Sequence, residues 1–140
     1  MPLGSTSNSM VEHVVHDSQC LACIIRARLA PSETQFVTPN DWGQQVGFIV
    51  YKAGSEIARH RHRPLERRIV GTSEVLVVRR GCCEVDLFTQ AGALVCTRRL
   101  QVGDVIVIVS GGHRYRMIED TVLLEVKQGP YTGVDEKEYY

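Results

Sequence analysis

The sequence predicts an all-β fold, and three observations carry that expectation. From Glu74 onward, runs of five to eight residues (EVLVV, EVDLF, ALVCTRRL, DVIVIV and TVLLEVKQ) recur at short spacing, with Gly, Thr, Gln or Asp between them. Short strands separated by turn signals indicate a sandwich or barrel. The runs read as strands in their patterning too. TVLLEVKQ sets apolar Val122, Leu124 and Val126 against Glu125 and Lys127, a half-exposed strand, whereas EVLVV and DVIVIV are apolar on both faces. Finally, 140 residues suffice for one compact core and not for two.

Taken in order, residues 1–9 (MPLGSTSNS) are polar and turn-forming, and PLGS resembles a remnant of vector cleavage sites. They are set aside as a leader, with Met10 as the native start and 10–140 as one domain. His13 and His16 follow in VEHVVHDS and read as exposed or edge residues rather than ligands. CLACIIRARLAP, from Cys20 to Pro31, is apolar, and its periodicity fits a strand or a short helix. PSETQFVTPNDWG is turn-rich and leads into QQVGFIVYKAG, a strand bounded by Gly54. The charged tail GVDEKEYY is expected to be frayed or laid on a partner. The two-faced runs EVLVV and DVIVIV need cover on both sides, which favours a homodimer.

Five Cys, an odd number without an export signal, argue against a disulfide framework. Cys20 and Cys23 form a C-x-x-C, but no second pair stands at zinc spacing, and small core residues are the better reading. Net charge is zero, with no basic block to hold nucleic acid or an anionic membrane. No apolar run reaches membrane-spanning length, so the cytoplasm is the expected location. Thirteen of the sixteen basic residues are Arg.

The chemistry concentrates between Gly54 and Gly81. His60 and His62 are two apart, so on an extended strand their imidazoles share a face. Glu74 opens a strand-like run that Gly81 closes, and His113 lies in GDVIVIVSGGHRYRM. Gly, five residues, His-x-His, a later Glu, six residues and Gly, then Gly103 and His113 downstream, resemble the two motifs of the cupin superfamily. SGGH and LEVKQGPY also resemble segments of small single-domain cupins. The resemblance spans Gly47 to Lys127 and implies a cupin-type β-barrel, or jelly roll, with His60, His62, Glu74 and His113 as metal ligands. Eleven residues separate His62 from Glu74, more than the motif usually has. Glu66 meets the shorter spacing, but Glu74 begins a strand and has its Gly, which makes RPLERRIVGTS a loop insertion. Val109 stands where Pro is common and Met117 where Asn is common.

Three imidazoles and one carboxylate suit Fe, Mn, Ni, Co, Cu or Zn and leave open positions for water, oxygen or a chelating ligand. If His113 points inward, alternation sets Tyr115 and Met117 inward with it, Tyr115 as hydrogen-bond donor or acid or else as a core residue with a satisfied hydroxyl, and turns Arg114 and Arg116 outward. Arg59 and Arg61 face away from the metal by parity. Arg63, Arg67 and Arg68 can reach over the mouth of a pocket and bind an anion bidentately. The expected function is that of a metal-dependent oxygenase, isomerase or lyase acting on a small oxygenated molecule. The alternative is a binding or sensor module without turnover.

Overall fold

The computed structural model describes residues 9–133 and 136–140, so the leader, Ser9 apart, lies outside the described residues. Each regular element among them is a strand, which bears out the all-β class. The ten strands form three antiparallel sheets, none closed into a barrel. The chain divides into two compact units, Met1–Leu29 with Thr72–Tyr140, and Ala30–Gly71.

The first unit holds eight strands: β1 (Val11–His16), β2 (Gln19–Ile25), β5 (Glu74–Arg80), β6 (Cys82–Phe88), β7 (Leu94–Gln101), β8 (Val105–Ile108), β9 (Gly112–Met117) and β10 (Val122–Lys127). Strand order is β1-β2-β8-β5-β10 in the larger sheet and β7-β6-β9 in the smaller. CLACIIRARLAP resolves as a strand, because β2 pairs with both β1 and β8. Its hairpin to β1 turns through Asp17 and Ser18, both at positive φ (48° and 64°), whose twist matches that of the strands. Gly81 is also left-handed (φ 83°), and a Cβ there would stand 2.2 Å from the Asp120 carbonyl, so the β5–β6 turn requires glycine.

Inner faces of the two sheets build one core. Ala22, Ile24, Leu76, Val78, Ile106 and Ile108 of the larger sheet meet Cys83, Val85, Leu87 and Leu100 of the smaller. Burying each of the larger side chains contributes about 1.5–3 kcal/mol. On the outer face of the larger sheet, Cys23, Val107 and Val75 are buried as well, which bears out the two-sided reading of EVLVV and DVIVIV.

β10 departs from expectation. Its register sets Leu123, Glu125 and Lys127 opposite Val78, Leu76 and Glu74, so this polar-bearing parity faces the core side, and Leu123 packs against the core. Val122, Leu124 and Val126 are left about half exposed (46, 46 and 51%) on the other face. The tail also differs from its reading as frayed or laid on a partner. Tyr140 donates its hydroxyl hydrogen to the carbonyl of Thr89 (2.9 Å), and Glu136 accepts from Thr132 (2.8 Å) and pairs with Lys127 (3.6 Å).

The second unit has one short hairpin, β3 (Gln35–Phe36) with β4 (Gly47–Phe48). Val46 N donates to the buried Thr38 hydroxyl (3.0 Å), and Gln45 donates to the carbonyls of Pro39 (2.8 Å) and Trp42 (3.0 Å). The strand expected over QQVGFIVYKAG is confined to Gly47–Phe48, and no residue from 49 to 73 lies in a strand.

Candidate functional site

Two polar pairs join the sheets of the first unit at its opposite margins. At one, β1 and β7 are tied by Arg98, whose Nε donates to Glu12 Oε1 (2.9 Å) and whose Nη2 donates to Oε2 (2.8 Å). That guanidinium fork holds the Glu12 carboxyl below its usual range against the opposing effect of burial. At the other margin, β5 and β9 bring Glu74 Oε2 to 3.3 Å from His113 Nε2. The imidazole beside it lowers the Glu74 carboxyl against burial, with Glu125 and Lys127 of β10 adding to the effect.

Tyr115, two residues along β9, keeps its ring on the core side, its centroid 5.6 Å from that of His113. Its hydroxyl is buried and finds no hydrogen-bond partner among the described residues. Burial pushes the phenol far up, and the nearby charges of Glu74, Cys83 and Glu125 push it further. A phenol so placed keeps its proton, which stays available to donate into a hydrogen bond. Leaving such a donor unpaired costs about 1–3 kcal/mol. Met117 shares the parity of His113 and Tyr115 and is half exposed.

The outer face of β9 does different work. Arg114 donates to Asp86 through Nε (3.0 Å) and Nη2 (2.7 Å), Arg116 reaches the same carboxylate, and Thr97 donates to its other oxygen (2.6 Å). Asp86 is 1% exposed, and Arg116, Thr97 and Arg114 hold its carboxyl far below the usual range. The outward placement of Arg114 and Arg116 is therefore as the alternation required, and their partner is a buried carboxylate.

His60 and His62 lie in the second unit, outside any strand, yet their rings sit together with centroids 5.3 Å apart, edge to face. The Nδ1 atom of His60 is 2.8 Å from the Ala58 carbonyl. A carbonyl only accepts, so Nδ1 carries a hydrogen, which leaves Nε2 as the ring nitrogen a metal would use. Arg63, Arg67 and Arg68 are exposed, as is Glu66. Among the described residues no three His, Cys, Asp or Glu side chains stand together as a metal-holding group. The structure thus pairs His60 with His62 and Glu74 with His113, each pair within its own unit.

All five Cys are free. A β-bulge at Leu21 leaves Cys20 and Cys23 opposite Val15 and His13 of β1, and burial, with Cys20 adding to it, pushes the Cys23 thiol up to about 11, an unreactive setting. Glu125 and Lys127 are the residues near Glu74 that sequence reasoning missed. The signal available was Leu123, the apolar residue of their parity. Comparison with family models, with curated proteins and with solved structures found no match.

Proposed function

We propose that the chain is a cytoplasmic, divalent-metal-binding protein of cupin type. In this reading its strands complete a jelly roll, and His60, His62, Glu74 and His113 hold Fe, Mn, Ni, Co, Cu or Zn. The observation that carries the reading is the Glu74–His113 pair, an oxygen and a nitrogen donor converging from two sheets beside the unpartnered hydroxyl of Tyr115. The donor chemistry fits a divalent transition ion, and the bond from His60 Nδ1 to the Ala58 carbonyl leaves Nε2 as the nitrogen for one. A bound ion would supply Lewis acidity or a place to activate oxygen.

The chain's own residues then act on a small oxygenated, anionic molecule. Tyr115 donates a hydrogen bond to it, which satisfies its buried hydroxyl. Arg63, Arg67 and Arg68, which have no ion-pair partner among the described residues, draw in its negative charge, and Met117 lines its entry. Oxygenase, isomerase and lyase chemistry are the enzymatic forms of this reading. A binding or sensor module is the second, favoured by the Tyr115 phenol, which keeps its proton and so serves as donor rather than as proton-transfer group.

Elemental analysis of protein purified without chelators tests the proposal. Near-stoichiometric metal is expected, lost in a folded His60→Ala/Glu74→Ala variant. No metal, and none taken up on addition, refutes it. Oxygen uptake or product formation with candidate acids separates the enzyme from the binding module, which would show saturable binding without turnover.

A further inference from the structure

From Tyr51 to Thr72 each of 22 consecutive residues is exposed, and none belongs to a strand. The segment includes large apolar side chains that a folded chain ordinarily covers: Tyr51, Ile57, Leu65, Ile69 and Val70. Stretches of this length without secondary structure are either disordered or functional. Here the functional case has specific support, because the segment sets two His rings side by side, with centroids 5.3 Å apart, and His60 Nδ1 bonds the Ala58 carbonyl.

The first unit has a matching deficiency. β10 ends the larger sheet and β9 ends the smaller, so each presents an unpaired edge, which folded proteins ordinarily protect. The outer face of the larger sheet is apolar across four strands, through Cys23, Val107, Val75 and Val126 in register. Its cover falls away at β10, where Val122, Leu124 and Val126 are exposed. At this margin Glu74 of β5, the neighbour of β10, meets His113 of β9, with the unsatisfied Tyr115 hydroxyl beside them.

We propose that residues 51–72 are an exchange arm laid on a second copy of this chain. The arm adds extended backbone to the open edges of β9 and β10, covers the apolar face of β10, and brings His60 and His62 to the partner's Glu74 and the partner's His113. Each copy carries one uncovered arm and one margin with the two open edges of β9 and β10, so a single two-fold exchange satisfies both surfaces of both chains. Reach is sufficient, since 22 extended residues span up to about 70 Å. The part concerning the metal rests on the function proposed above; the exchange itself does not.

Two measurements test it. His60→Ala/His62→Ala chains and Glu74→Ala/His113→Ala chains are each titrated with Co2+ alone, then co-expressed in equal amounts and titrated again. Exchange predicts that each variant alone binds none, while the mixture recovers about a quarter of the native Co2+ per chain, because half the dimers are mixed and each of those holds one complete site. No recovery, with the native chain binding Co2+, overturns the exchange and leaves the metal reading standing. The second measurement needs no metal. The chain has three Lys, at 52, 127 and 137, and a lysine cross-linker is applied to native protein mixed from 14N and 15N cultures and refolded together. Lys52–Lys127 pairs of mixed label are expected. A solution mass of one chain, or the absence of mixed-label pairs, overturns the proposal whatever the metal result.

Discussion

The two margins of the sandwich are joined by superficially similar contacts, a carboxylate on the larger sheet meeting a cationic or basic group on the smaller. They differ in how completely their polar atoms are used. Arg98 and Glu12 meet through a fork of donors, and the guanidinium also donates to the Thr97 carbonyl (2.9 Å). Glu74 and His113 meet through one contact, with an unpaired Tyr115 hydroxyl alongside and an exposed apolar strand beyond. A satisfied pair holds the fold together. A pair with spare donors on an open edge is arranged for something added to it.

Breaking the first margin gives the largest expected effect on stability. Arg98→Met leaves the partly buried Glu12 without its bidentate partner and lowers unfolding free energy by about 2 kcal/mol, measured by urea denaturation. Metal content stays at the native level, because Arg98 lies at the far margin from Glu74. A loss of metal with retained stability would reverse the roles assigned to the two margins.

The same contrast explains what was legible in the sequence. β5, β6, β7, β8 and β10 could be read because each holds a compact apolar run between turn residues. Tyr115 could be set beside His113 because strand parity fixes which side chains share a face, whereas Glu74 was grouped with them only through the cupin resemblance. Parity does not say which face is inward, and β10 shows the consequence: Val122, Leu124 and Val126 look like the buried set, yet ladder pairing with β5 turns Leu123 inward and takes Glu125 and Lys127 with it. QQVGFIVYKAG fails differently. Its residues favour extended backbone, but extended residues become a strand only by pairing with a neighbour, and from 49 to 73 none is paired in a ladder. The Glu12–Arg98 tie was out of reach because 86 residues separate its partners and nothing local marks either one.

At the second margin the expected change has the opposite sign. Tyr115→Phe keeps the ring and removes the unpartnered hydroxyl, so metal-free protein gains about 1 kcal/mol in unfolding free energy. The proposed function predicts that affinity for an anionic ligand falls at the same time, through loss of the Tyr115 donor. Stability raised while binding is lost is the signature of a group held for function. A Tyr115→Phe chain less stable than native would mean that the hydroxyl already has a partner and that the two margins are alike.

The smallest effect sharpens the comparison through pH. Arg98 stays charged throughout the accessible range, so only the carboxyl of the Glu12–Arg98 pair titrates. The Glu12 carboxyl is held below its unfolded value by Arg98. A depressed folded-state carboxyl contributes stability that is fully present above the unfolded value, about 4.3, and is lost as pH falls through the folded value. Glu12→Gln abolishes that contribution, so the stability gap between native and variant protein narrows by about 0.5 kcal/mol as pH falls from neutrality to below 4. Urea midpoints at a series of pH values measure the gap. A gap that stays constant would show that the first margin is held by packing of the Arg98 stem and not by its charge, which would remove the electrostatic half of the contrast with Glu74 and His113.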